Sequence, residues 1–237
     1  MHIGILQAGH TPDALIARRG DFDAMFRDLL GGRGFDFTSW DVERMAFPAS
    51  VTEADGWLIT GSRHGAYEDH PFIPPLEAFI RGAWEAGIPV AGICFGHQIV
   101  AQALGGRVEK FAGGWSLGRR VYETPDGREV ALNAWHQDQV TRAPAGARTL
   151  AANDFCAHAA LAYPDPAGAG RDRILTIQPH PEFSPALIGD YVATRRGTGT
   201  YPDDRMEAAA AQADDPVDNA AIGRAIARFF REGVAHV

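Results

Sequence analysis

The sequence has 237 residues, of which 46% are hydrophobic and 22% charged, the balance of a soluble globular chain and not of a disordered or membrane-embedded one. A formal net charge of −8 argues against a partner held through nucleic-acid phosphates, and no apolar run approaches the ~20 residues of a membrane span. Two cysteines do not make a disulfide framework and fit a reducing cytoplasm.

The opening Met1-His2-Ile3-Gly4-Ile5-Leu6 lacks the basic region and cleavage site of a secretory signal and is expected to lead a strand over 2–8. A helical pattern follows near 13–30, then strands at 37–42 and 57–61, a helix at 72–86, a strand at 88–93 and a helix at 97–104 that stops at Gly105-Gly106. Strands alternating with helices predict an α/β fold, a mostly parallel central sheet flanked by helices. Between about 107 and 162 the pattern changes. Pieces such as Arg119-Arg120-Val121-Tyr122-Glu123 and Glu129-Val130-Ala131-Leu132, split by Pro125-Asp126-Gly127, predict a small antiparallel β excursion. A strand at 174–178 and a helix at 185–196 return to the α/β pattern. Residues 197–216, with Ala208-Ala209-Ala210-Ala211, are the least specified stretch and read as a surface excursion. Pro216 then opens a helix over 217–231 whose Ile222, Ala225, Ile226, Phe229 and Phe230 form one apolar face for the core. No repeat and no long linker interrupts the chain, so 1–237 reads as a single domain.

The most informative segment is Gly92-Ile93-Cys94-Phe95-Gly96, placed between the apolar Ile88-Pro89-Val90-Ala91 and the helical pattern after it. A Gly-x-nucleophile-x-Gly turn between strand and helix forces the central residue into a strained backbone conformation, and the flanking glycines remove colliding side chains. A thiol there sits at the amino end of a helix, where unpaired N–H groups favour thiolate. Cys94 is therefore the expected nucleophile, and the backbone N–H of Phe95 an expected oxyanion donor. Cys156 has no such turn and reads as structural. A thiol needs a base and the base an orienting carboxylate. Gln178-Pro179-His180-Pro181-Glu182-Phe183 supplies both: its two prolines exclude a regular helix, an extended chain is expected, and residues two apart then share a side. His180 is the expected base and Glu182 its orienting acid. No Cys-x-x-Cys or His-x-x-x-His pair is present, so no metal site is expected.

These motifs together resemble a class I (triad-type) glutamine amidotransferase domain: Gly92-x-Cys94-x-Gly96-His97-Gln98 followed by His180-Pro181-Glu182. The resemblance covers most of the chain. Leu58-Ile59-Thr60-Gly61-Ser62 resembles the strand and glycine turn that supplies the other oxyanion N–H, and Tyr67-Glu68-Asp69 the Tyr-Asp that often follows it. Trp135-His136-Gln137-Asp138-Gln139-Val140 resembles the segment beside the glutamine pocket. Many members have Gly-Gly-Pro where this chain has Gly61-Ser62-Arg63, so by alignment the N–H belongs to Ser62. The Gly-Ser form is more similar to stand-alone relatives of the amidotransferase domain of GMP synthetase, a branch that includes plant γ-glutamyl peptidases.

The resemblance implies a flavodoxin-like sheet, a glutamine or γ-glutamyl small-molecule substrate, no cofactor, and Gly61, Gln98, His136, Gln137 and Asp138 as substrate contacts. For Gln98 the alternative is a plain polar residue on a helix face; for His136 it is a hydrogen-bonded structural histidine. His97 reads as a helix-start residue or a contact behind the site residues, not a second base. Arg63, His64 and Arg119 are offered as carboxylate binders or as solvated surface charges. No phosphate-binding glycine loop followed by Lys-Ser/Thr is present to supply a synthetase. Two enzymatic readings follow: a free-standing hydrolase of γ-glutamyl amides, which is favoured, or a glutaminase delivering ammonia to a separate synthetase chain. A non-catalytic binding module on the same fold is the third.

Overall fold

The computed structural model describes residues 1–168 and 170–237. In chain order the elements are β1 (His2–Gln7), α1 (Asp13–Arg19), α2 (Phe22–Leu29), β2 (Asp36–Asp41), β3 (Gly56–Ile59), α3 (Ile73–Glu85), β4 (Val90–Ile93), α4 (Phe95–Ala103), β5 (Arg107–Lys110), β6 (Ser116–Glu123), β7 (Glu129–His136), β8 (Asp138–Arg142), β9 (Arg148–Ala151), β10 (Ala160–Pro164), β11 (Asp172–Ile177), α5 (Pro185–Arg195), α6 (Asp203–Ala211) and α7 (Asn219–Glu232). Among the described residues the central sheet has seven strands in the order β2-β1-β3-β4-β11-β10-β9. The first five run parallel, and β10 and β9 extend the edge antiparallel.

That order is the doubly wound 2-1-3-4-5 arrangement, in which ligands bind beyond the carboxyl ends of the strands near the point where the order reverses. The central strands are apolar on both faces because helices cover both. Ile3, Ile5, Leu58, Ala91 and Ile93 pack with Phe26, Ile226 and Phe229 on one side. Leu6, Trp57, Ile59 and Val90 pack with Leu76, Ile80 and Ile99 on the other. The apolar stripe of α7 is core, as its sequence predicts, with Ile222, Ile226, Phe229 and Phe230 all buried. The expected antiparallel excursion is present as the ladders β5–β8 and β6–β7. No helix among the described residues is long and apolar enough to cross a membrane.

Three expectations need correction. The helix over 13–30 is two helices: Gly20 has φ 79°, and Asp21 caps α2 by accepting from the backbone N–H of Phe22 at 2.8 Å. The 107–162 region is not wholly an excursion, because β9 and β10 join the central sheet through pairing that local periodicity does not reveal. Residues 197–216 contain a docked helix: Met206 and Ala209 of α6 are fully buried. The docking needs a bare backbone opposite. A side chain at Gly118 of β6 would place its Cβ 2.7 Å from the Cα of Ala209, and Gly118 itself has φ 75°. Met206→Ala should therefore cost about 2–5 kcal/mol in urea unfolding. A surface helix would lose no more than about 0.5 kcal/mol.

Candidate active site

The loops at the carboxyl ends of β1, β3, β4 and β11 converge on one cleft of about 260 Å³. Cys94 lies at its floor, between the last residue of β4 and the first of α4, with φ 54° and ψ −103°. A positive φ in a residue with a side chain costs on the order of 1–3 kcal/mol and persists only where its surroundings impose it. They do so here. The Cys94 N–H donates to the Ile177 carbonyl of β11 at 2.9 Å, and the Gly96 N–H to the Thr60 carbonyl at 3.1 Å. A Cβ at Gly92 would lie 2.5 Å from the Gly96 carbonyl oxygen, and one at Gly96 would lie 2.3 Å from that of Ile59. Both flanking glycines are thus demanded by backbone against backbone.

His180 is fixed by its own N–H, which donates to the Asn133 carbonyl of β7 at 2.7 Å. Its Nδ1 bonds Glu182 Oε1 at 2.6 Å, and both side chains are almost fully buried. The pair does not meet through an extended chain, as the alternation of side chains suggested. Residues 181–182 form a turn closed by the Phe183 N–H on the His180 carbonyl at 3.3 Å. Pro181 follows His180 at the turn position its fixed φ suits. The turn also brings Phe183 back under the imidazole, stacked at 3.9 Å between centroids.

A Cβ at Gly61 would lie 3.2 Å from His180 Cε1 and 3.8 Å from Cys94 Cβ, so imidazole, thiol and the β3 turn share one small volume. Burial alone would lower the His180 pKa. The Glu182 carboxylate, by charge and hydrogen bond, and the Cys94 sulfur outweigh it and hold the ring well above its ordinary value. Among the described residues neither the Ser62 nor the Phe95 backbone N–H donates to a protein acceptor. The geometry therefore offers a sulfur, a ring that keeps its proton, and two free donors, one at the start of α4 and one in the loop after β3.

The other expected residues divide. Gln98 lines the cleft, but its Nε2 already donates to the Asp138 carbonyl at 2.8 Å and to Gln178 Oε1 at 3.2 Å. His136 and Gln137 also line it. His136 Nδ1 faces the Asp138 carbonyl at 3.2 Å, while its buried Nε2 has no partner among the described residues. Burial first, and then the charge on His180, push the His136 pKa down to about 3, so this ring is neutral. The Asp138 carboxylate accepts from the Tyr67 hydroxyl at 3.2 Å, and its pKa is raised by burial. His97 faces away into the core, its Nδ1 against Thr176 Oγ1 at 2.8 Å. Arg63 is 80% exposed at the rim, and His64 Nε2 bonds Glu43 at 2.8 Å. Arg119 is not in the cleft; its Nε donates to the Pro216 carbonyl at 2.8 Å.

Gln178 was not singled out from sequence, yet its Nε2 lies 3.7 Å from Cys94 Sγ. Its adjacency to His180 is the one signal that could have found it. Two groups of imidazole and carboxylate atoms also gather beside the cleft: His64, Glu68 and His70, and His10, Asp41 and Glu43, each within 4.8 Å. His64, Glu68 and His70 belong to the one loop between β3 and α3, while His10 follows β1 and Asp41 and Glu43 lie at and just beyond the end of β2. Their members pair with one another, as in His70–Glu68 at 2.9 Å and His64–Glu43 at 2.8 Å.

The family profile described as glutamine amidotransferase class-I matches residues 32–196. A glutamine amidotransferase-like protein of Schizosaccharomyces pombe is 29% identical over 252 residues, covering 98% of this chain and 99% of its own. γ-Glutamyl peptidase 4 of Arabidopsis thaliana is 31% identical over 199 residues, covering 77% of this chain and 76% of its own. The crystal structure of a glutamine amido transferase from Methylobacillus flagellatus superposes with a TM-score of 0.71 over 99% of this chain and 96% of that one, at 21% identity, a likeness of fold.

Proposed function

This chain belongs to the glutamine amidotransferase class-I family, and we propose that it is a free-standing hydrolase that cleaves γ-glutamyl amide bonds through a glutamyl thioester on Cys94. The observation that carries the reading is the strained Cys94 at the start of α4 beside the buried His180–Glu182 pair. The Cys94 thiolate adds to the γ-carbonyl carbon, forming the C–S bond. The N–H groups of Ser62 and Phe95 hold the resulting oxyanion, each worth about 2.7–4 kcal/mol in comparable sites. Collapse breaks the C–N bond as the His180 imidazolium gives its proton to the leaving nitrogen. Neutral His180 then takes a proton from water, the hydroxide adds to the thioester carbon, and loss of the thiolate releases glutamate with the ion pair restored.

His136, Gln137 and Asp138 form the polar side of the cleft that we assign to the glutamyl part, with Gly61 against His180 at its edge, the Asp138 carboxylate facing the α-ammonium and Gln98 bracing Asp138 from behind. Both cysteines are free, and a reactive thiol is preserved in a reducing compartment, for which we propose the cytoplasm. The test is steady-state glutamate release by the purified chain from glutamine and γ-glutamyl dipeptides, with mass spectrometry of Cys94 after a glutamine-like electrophile. Release that the isolated chain sustains alone, together with labelling of Cys94, is expected. Release that requires a second protein, with ammonia as the sole nitrogen product, would instead make this chain the glutaminase of a synthetase pair. No labelling and no release would make it a binding module.

A further inference from the structure

The cleft has a second side that the glutamyl reading does not use. Rings run outward from the imidazole in an unbroken series. Phe183 stacks under His180; Tyr191 follows at 5.4 Å from Phe183, Trp135 at 4.9 Å from Tyr191, Tyr201 at 5.3 Å from Trp135, and Trp115 at 4.7 Å from Tyr201. All five line the same cleft as Cys94. The inner rings are buried, while Trp115 and Tyr201 at the outer end are half-exposed. A series that only filled core would be covered at both ends.

One polar group in this wall lacks a hydrogen-bond partner and another lacks a counter-charge among the described residues. Trp135 is buried, yet its Nε1–H has no acceptor among the described residues. A buried donor left unpaired costs about 1–3 kcal/mol and calls for an acceptor from elsewhere. The Arg195 guanidinium lies 4.9 Å above the Tyr191 ring and donates to the Tyr201 hydroxyl, but no carboxylate among the described residues is within ion-pair distance of it. Tyr201 comes from the segment beyond residue 196, outside the part matched by the family profile. That segment is seated by α6 on the bare backbone of Gly118. The outer end of the wall is therefore supplied in part by a segment beyond the family profile, and that segment is anchored in the core.

We propose that this wall is the leaving-group subsite, and that it selects γ-glutamyl conjugates whose amine carries an aromatic ring and a carboxylate, the chemistry of a γ-glutamyl aromatic amino acid. The ring packs against the outer faces of Trp115 and Tyr201, and the carboxylate meets Arg195 and the Trp135 N–H. This inference rests on the hydrolase reading and gives it a substrate class.

The experiment compares kcat/KM for γ-glutamyl-L-phenylalanine, γ-glutamyl-L-alanine, γ-glutamyl-phenethylamine and glutamine. The phenylalanine conjugate should exceed the alanine conjugate by about tenfold or more, the factor that one aromatic contact of about 1.4 kcal/mol provides. It should also exceed the phenethylamine conjugate, which lacks the carboxylate. Tyr201→Leu and Trp115→Leu should erase the first preference through KM, and Arg195→Gln the second. As a measurement that needs no variant, L-phenylalanine should inhibit the wild type as a product at concentrations where L-alanine and phenethylamine do not. Equal kcat/KM for the phenylalanine and alanine conjugates, in a preparation that releases glutamate from both, overturns the subsite and leaves the hydrolase reading standing. No glutamate from any of the four overturns both.

Discussion

Replacing Cys94 with serine is expected to abolish glutamate release, by on the order of 10⁶ in kcat, with the fold intact. That is the scale reached when the nucleophile of a triad is removed. An alcohol fails here for a reason specific to this site. Glu182 remains in the variant and still raises the proton affinity of His180, so the ring is poorly free to take a hydroxyl proton. The arrangement suits a nucleophile that already exists as an anion, which a thiol can be and an alcohol cannot. Cys156 is the internal control. Its thiol is buried and its pKa is pushed up to about 12, chiefly by that burial, which leaves it an inert packing group. Cys156→Ser should lower the unfolding midpoint and leave kcat unchanged. Full turnover by Cys94→Ser, with the circular dichroism of the wild type, would mean that another group attacks the substrate.

The nucleophile turn was legible because it is local. Gly92, Cys94 and Gly96 lie within five residues, and each glycine is required by a contact made inside the strand-turn-helix unit or with the adjacent β3 turn. The chemistry of His180 and Glu182 was legible as well, but its geometry was not. Two prolines exclude a helix without choosing between extension and a turn, and it is the turn that places Phe183 under the imidazole. The break between α1 and α2 was present in the sequence as Gly20-Asp21, a stop followed by a cap, and was lost beneath a continuous helical periodicity. The docking of α6 was not readable at all. Its alanine-rich face has little pattern, and its seat is a glycine on a distant strand. The same holds for the aromatic wall. Trp115, Trp135, Tyr191 and Tyr201 come from separate segments, and each by itself reads as core.

Glu182→Gln should slow kcat by about 10²–10⁴, less than His180→Ala, because it removes the charge that orients and supports the base while leaving the base in place. The replacement nearly preserves shape. One carboxylate oxygen bonds His180, and the other has no partner among the described residues, so the lost charge is the main change. Its signature is in the pH dependence. In the wild type His180 binds its proton more tightly in the folded chain than at the ordinary 6.5 of an exposed ring. The stability this confers is complete below 6.5 and is lost as pH rises from there through the raised folded value. Urea midpoints should therefore decline over that alkaline span, and the alkaline limb of kcat should fall with the same ionisation. In Glu182→Gln the decline should flatten and the limb move to lower pH. In Cys94→Ser combined with Glu182→Gln, burial alone governs the ring, its pKa falls below 6.5, and stability should instead rise with pH up to that value. An alkaline limb and a stability slope that stay put in Glu182→Gln would show that this carboxylate does not hold the proton on His180.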